Sequence, residues 1–360
     1  LKRYSYKAGI IAGLLIAAGG ALLFFAAVQV RSYWAYLCVF FIIATGMCFL
    51  ETSANPYVTV LGEPEGSVRR LNLAQAFNGL GAFISAMFLS KLVLTGNSYT
   101  RETLPDNYPG GWEAFVTSES NAMAKPYLIL ATCLIVAALV FIFVKMPRIG
   151  DENSANGQKK AHEKLIDFTV LRHAHLRNGV IAQFFYNGGQ TAMNSLFLVY
   201  CTKYAGIDEG TSTTFFGFYM LSFLLGRWVG TLLMVRIKPQ HMLVVYSLTL
   251  MTLCGVIMAY GGLVGIYCMI AVSFFMSIIY PTQFSLSLRG LGEQTKSGSA
   301  FLVMGVVGNA CLPQLTALVM HCNEEIYQIA YIVPLVCFSV CLWYGWKGFK
   351  CKNEIATNYI

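Results

Sequence analysis

Charged side chains are scarce in this chain. They make up 12 % of its residues, about half the share usual in globular proteins, while 56 % of residues are hydrophobic and 14 % aromatic. That balance excludes an ordinary soluble domain of this length. Histidine is scarcer still: of five in 360 residues, His162, His173 and His175 share one polar connection, and His241 and His321 sit at the ends of apolar runs. The eleven cysteines form no Cys-x-x-Cys pair and are mostly scattered through apolar runs, where cysteine behaves as a small apolar residue. These gaps argue against a disulfide framework, a metal site and the nucleophile–base pair of an intramembrane enzyme. No enzymatic activity, metal or organic cofactor is expected. The net charge of +8 is not a nucleic-acid footprint, because the cations cluster at the ends of apolar runs.

What the chain does have is a series of apolar stretches of twenty or so residues, the mark of a polytopic helical membrane protein. Ten helices are expected, roughly at 8–29, 33–60, 70–95, 125–146, 176–202, 212–235, 240–261, 263–288, 296–320 and 326–347. If the first residues are cytoplasmic, five of the 25 Lys and Arg fall outside (Arg31, Lys91, Arg101, Lys125, Lys203). Arg227 lies within a helix, and the other nineteen lie inside. The positive-inside rule then puts both termini in the cytoplasm. The longest inner connection, 147–175, is polar and charged, as a tether between bundles should be, and the outer loop 96–124 reads as a plain connection.

Four helices precede that tether and six follow. Many transporters are built from two six-helix halves joined in this way. The chain opens on Leu1-Lys2-Arg3, with neither an initiator methionine nor a signal peptide, so two further helices are expected upstream. The expected organisation is an incomplete four-helix bundle (1–146), the linker (147–175), a six-helix bundle (176–348) and a cytoplasmic tail (349–360).

Glu51 follows the uncharged run WAYLCVFFIIATGMCFL and precedes an Asn55–Pro56 pair. An ionised carboxylate in hydrocarbon is costly, so such a residue usually faces a protein interior or a watery cavity, where desolvation favours its protonated form. That makes Glu51 a candidate proton carrier; the other reading puts it at the membrane surface, one turn from a loop. Gln75 and Asn78 follow the turn Gly62–Ser67 at matching distance, which levels all three about 12–17 Å from the inner surface. Asn72, Gln75 and Asn78 recur every third residue, broadly on one face.

In the helix at 176–202, Gln183, Asn187, Gln190 and Asn194 form a second amide stripe, at i, i+4, i+7 and i+11. Amides in membrane helices either glue helices together or bind a solute. They donate and accept at once, which matches sugar hydroxyls. Tyr280–Pro281 occupies in the second half the place of Asn55–Pro56 in the first, each shortly before a turn containing Leu-Gly-Glu (61–63 and 291–293). Pro56 and Pro281 break backbone hydrogen bonds and mark bends, useful where helices rock. Arg227, in LLGRWVGTLL, either holds a cytoplasmic gate through a carboxylate or a helix C-terminus, or snorkels to the inner surface.

The run FLETSANPYVTVLGEPEG followed by RRLNLAQAFNGLGAFIS is similar to the signature of the fucose permease family, the fucose–galactose–glucose proton symporters of the major facilitator superfamily. IAQFFYNGGQTA, GRWVGTLL and MSIIYPTQFSLSLRGLGEQTKSGSAFLVMGVVG resemble segments of its second half, so the likeness runs from about 8 to 345. The resemblance implies an all-α integral membrane bundle of major-facilitator type, ten transmembrane helices of an expected twelve, with a central cavity and alternating access. It implies that Glu51 takes part in proton coupling, that Gln75 and Asn78 contact sugar, and that Tyr280 lines the cavity. The family's first helix carries an essential aspartate and asparagine, which this chain does not contain, so the fragment by itself is expected not to transport.

The expected activity is proton-coupled import of L-fucose or a related hexose across a bacterial inner membrane, by a monomer whose partners are the sugar and the lipid bilayer, with the proton as coupling ion. The substrate-binding set is Gln75, Asn78, Tyr280, Asn187, Gln190 and Asn194. The alternatives are a transporter of the same fold for another sugar, an amino sugar or a polyol, a sodium-coupled one, and a sugar sensor that does not transport.

Overall fold

In a computed structural model of the chain, residues 5–85, 109–147 and 168–351 are described. The expected helical positions 86–95, most of the linker 147–175 and the tail beyond 351 lie outside them. The described residues are helical and contain no strand. Eight helical segments are long and apolar enough to cross a membrane. Two helices fall short of that hydropathy, α3 (Ser67–Ile84) and α5 (Ala174–Val199). They are the helices that carry the two amide rows, and the amides, with Arg69 and Arg70 in α3, lower their hydropathy.

The chain divides into two compact units, within Leu1–Ala54 plus Ile84–Arg148 and within Asn55–Phe83 plus Ile149–Ile360. The first unit holds α1 (Tyr6–Val30), most of α2 (Tyr33–Val60) and α4 (Gly111–Phe143). Small residues let α1 and α2 cross at backbone distance: a Cβ on Gly46 would meet the Ala17 nitrogen at 2.5 Å, and one on Gly13 the Gly46 carbonyl at 2.8 Å. Phe24 stacks on Tyr127 with centroids 3.8 Å apart, and Lys7 Nζ donates at 2.9 Å to the carbonyls of both Ile142 and Val144, capping the C-terminal end of α4. The expected outer loop 96–124 is helical from Gly111 onward. The reason is length: 33 residues rise about 50 Å, well beyond the hydrocarbon core, so the polar first turns of α4 extend past its apolar part without ending the helix.

The second unit contains α3, α5, α6 (Glu209–Leu233), α7 (Pro239–Tyr260), α8 (Gly262–Met276), α9 (Ile279–Leu288), α10 (Thr295–Met304), α11 (Gly308–Cys322) and α12 (Ile332–Trp343). Two expected continuous spans are interrupted. The span expected at 263–288 breaks at Ser277–Ile278, and that at 296–320 tightens into a 3₁₀ turn at Gly305–Val307. The second irregularity accompanies a close helix crossing, since a Cβ on Gly308 would lie within 1.9 Å of the Phe184 carbonyl oxygen. The buried core runs through Leu176, Tyr186, Met193, Leu250, Met276 and Phe338.

Candidate functional site

Pro56 lies inside α2, which stays helical through it to Val60. The end of α2 is then held by Arg70, whose guanidinium donates to the carbonyls of Val58 (3.4 Å), Thr59 (3.1 Å) and Glu63 (2.8 Å). These acceptors include the orphan carbonyls of a helix C-terminus, where a cation is also favoured by the dipole. Nothing in the spacing of Arg70 singled it out. Gly62 then takes a positive φ of 92° and turns the chain into α3.

Glu51 is half-buried on α2, in the first unit. Asn55 lies one turn further on and is buried, and its Oδ1 accepts from Gln75 Nε2 of α3 at 3.0 Å. The three polar residues of α3 do not share one environment. Asn72 is buried, Gln75 half-buried and Asn78 exposed. A three-residue step leaves a helical residue about 60° short of a full turn, so each amide is rotated further out than the last.

The stripe on α5 is straighter, and its burial changes along its length. Gln183 and Asn187 are buried, while Gln190 and Asn194 are half-buried. The buried end is committed to the protein: Gln183 Nε2 donates to the Tyr280 carbonyl at 2.9 Å, and Asn187 Nδ2 donates to the Gln183 carbonyl (2.7 Å) and to its Oε1 (3.1 Å). Asn194 Oδ1 accepts from the Tyr219 hydroxyl at 2.5 Å. Asn187 Nδ2 is thus engaged within α5, while Gln190 and Asn194 are less deeply buried. Tyr280 is buried at the start of α9, its ring stacked on Phe284.

Arg227 of α6 is 3 % exposed, its guanidinium held inside the protein rather than extended outward. Its Nε donates to the Ser277 carbonyl at 2.8 Å and its Nη1 to the Gln75 carbonyl at 2.6 Å, and the guanidinium lies 4.5 Å from the Phe223 ring centroid. Of the two partners weighed for it, the helix C-terminus is the one observed: Ser277 caps α8. Pro281 has no N–H to offer the carbonyl four residues earlier, which is that of Ser277. Arginine takes the acceptor that proline leaves. Among the described residues no group of three or more His, Cys, Asp or Glu is placed to hold a metal.

An all-helical array of apolar spans, with a carboxylate and rows of amides carried at depth, is the architecture of an integral membrane transporter. A family model described as Major Facilitator Superfamily matches residues 1–313. The L-fucose-proton symporter of Escherichia coli (strain K12) is 35 % identical over 360 residues, covering 99 % of this chain and 81 % of that protein. A glucose/galactose transporter of Brucella abortus biovar 1 (strain 9-941) is 31 % identical over 97 % of this chain and 80 % of its own. A crystal structure of the Major Facilitator Superfamily transporter FucP in the outward conformation superposes with a TM-score of 0.84 at 35 % identity, covering 96 % of this chain and 83 % of that one. This chain belongs to the Major Facilitator Superfamily, in the family of the fucose–proton symporters and glucose/galactose transporters. These relatives are named as transporters, not as enzymes.

Proposed function

We propose that the protein is a proton-coupled sugar importer working by alternating access, with L-fucose or a related hexose as its substrate. The observation that carries this is the 35 % identity to an L-fucose-proton symporter over 99 % of the chain. A carboxylate within an apolar helix, Glu51, and amides suited to hydroxyl groups support it. In this reading Glu51 takes a proton from outside, which lowers the cost of enclosing it in a dry cavity. Sugar binds to Gln75, Asn78, Tyr280, Asn187, Gln190 and Asn194, the bundles rock, and sugar and proton leave inside. The shift between states requires different affinities for the two, not merely tight binding. Asn55, Pro56 and Pro281 serve the bends, and Arg227 belongs to the gate.

The organisation that goes with this reading is ten spans of a twelve-helix protein: a four-helix part (1–146), the linker (147–175), a six-helix bundle (176–348) and a tail (349–360). Both termini lie in the cytoplasm, the membrane is the bacterial inner membrane, the working unit is a monomer, and the proton is the only coupling agent. Uptake by the complete transporter in liposomes tests it. With Glu51→Gln, proton-driven accumulation is expected to vanish while sugar exchange persists; unaffected accumulation would sink the proposal. The identity to a glucose/galactose transporter favours a second reading, in which the substrate is another hexose. A sugar panel, with and without sodium, separates the two and also tests sodium coupling; binding without flux identifies a sensor.

A further inference from the structure

Gln75 is held at two points. Its backbone carbonyl accepts from Arg227 Nη1 at 2.6 Å, and its side-chain Nε2 donates to Asn55 Oδ1 at 3.0 Å. All three residues belong to the second unit. Among the described residues, Gln75 Oε1 has no hydrogen-bond partner, and it remains accessible on a half-buried side chain.

Two facing carboxamides can close a ring of two N–H···O bonds, because each donates and accepts. Amides that serve only as interhelical glue spend their capacity in this way. Here one bond of the ring is made and the other is not. Asn55 Nδ2, which would donate to Gln75 Oε1 in a closed ring, is buried without a partner on a residue that is 7 % exposed. Buried amides are almost always satisfied, and leaving one half-used is costly. A bend does not require it either, since α2 stays helical through Pro56 to Val60. What the open pair preserves is an unspent acceptor on Gln75.

We infer that Asn55 is a positioning residue for solute recognition: by taking the Gln75 N–H it turns the Gln75 carboxamide so that Oε1, a fixed acceptor, is offered to the solute, and the site there selects a group that donates. A hydroxyl donates; a fluorine or a bare C–H does not. An acceptor fixed beforehand also loses little side-chain freedom on binding. This rests on the sugar-transport reading above, in which Gln75 contacts the solute, and adds the direction of that hydrogen bond and the residue that sets it. Asn55 Nδ2 is enclosed, so Asn55 acts through Gln75. Without Asn55, the Gln75 carboxamide can turn about its terminal bond and offer Nε2 instead.

The test measures binding to the complete transporter of L-fucose, or of D-galactose or D-glucose if one of these binds instead, and of analogues in which each hydroxyl in turn is replaced by fluorine. In the unsubstituted protein at least one analogue is expected to bind about tenfold more weakly than its parent, the worth of one hydrogen bond. Equal binding of all of them overturns the proposal. Asn55→Leu is expected to weaken parent binding and to bring one such analogue within about twofold of it, because Nε2 can then face the fluorine. A merely structural role would weaken parent and analogue alike, so unchanged ratios overturn the positioning. Asn55→Asp keeps an acceptor for Gln75 Nε2 and is expected to retain the ratio; its loss there also overturns it. If Asn55→Leu does not assemble, Asn55→Ala carries the same expectation. If no hexose binds the unsubstituted transporter, the sugar reading fails. The positioning is then decided by the side-chain amide NMR signal of Gln75, assigned by its loss in Gln75→Leu. A signal shifted and sharpened by Asn55→Leu supports it, and an unchanged one overturns it.

Discussion

Arg227 donates from Nε to the carbonyl of Ser277 at 2.8 Å, the acceptor that Pro281 leaves without its helical N–H. The pairing joins a buried cation to a broken helix and explains both. The free C-terminal end of α8 attracts positive charge, and the guanidinium fork can hold Ser277 and the Gln75 carbonyl together.

A double-mutant cycle tests that pairing. Arg227→Met leaves the Ser277 carbonyl buried without a donor, and is expected to lower stability by about 1–3 kcal/mol in thermal unfolding. Pro281→Ala supplies an N–H that can reach the same carbonyl. The double variant is therefore expected to be less destabilised than the sum of the two. Additivity would mean that the two residues are independent.

The α5 stripe divides into a buried and a half-buried part, and two substitutions separate their roles. Asn187→Ala removes two hydrogen bonds, of 2.7 and 3.1 Å, in the buried part of the stripe and is expected to cost about 1–3 kcal/mol of stability. Gln190→Ala, at a half-buried position, is expected to change stability by less than about 0.5 kcal/mol while weakening sugar binding by about tenfold, the worth of one hydrogen bond. Melting temperature and sugar titration on the same samples read both effects. The reverse pattern would assign the roles the other way round.

Asp208 gives a pH-dependent prediction outside the membrane. It caps α6, and the Thr211 backbone N–H, bonded to its Oδ2 at 2.8 Å, holds its carboxyl below the usual carboxylate range. A depressed value means that the cap's contribution is present above the unfolded value of about 4 and is lost as pH falls through the folded one. Amide exchange at residues 209–212 is expected to speed up on acidification through that window, whereas Asp208→Asn, which keeps the acceptor without the charge, is expected to show no such step. An identical pH profile in the variant would rule this out.

Much of the fold was legible because hydrocarbon is an unforgiving solvent. Apolar runs of spanning length had to be helices, and the predicted limits 33–60 and 240–261 lie within a residue of the observed Tyr33–Val60 and Pro239–Tyr260. The likeness between Asn55–Pro56 and Tyr280–Pro281 was legible too, but it holds at the turns and not in the helices. Gly62 and Gly292 both take positive φ, yet α2 continues through Pro56 while α8 stops before Pro281. The start of α4 at Gly111 was hidden because its first turns are polar, and polarity alone does not distinguish a loop from a helix that has left the bilayer.

The candidate site was legible as a set of residue types, less so as a division of labour. Period and hydropathy determined that this chain crosses a membrane repeatedly and carries Glu51 and two amide rows in its helices, since both properties are local in the chain. Which amides are committed to the protein, as Asn187 is, and which lie open, as Gln190 does, was decided by tertiary packing. So was the burial of Arg227 on two carbonyls 50 and 152 residues away along the chain. A hydrogen bond depends on where a partner stands in space, and for these residues the partner is set by helices that meet only once the chain has folded.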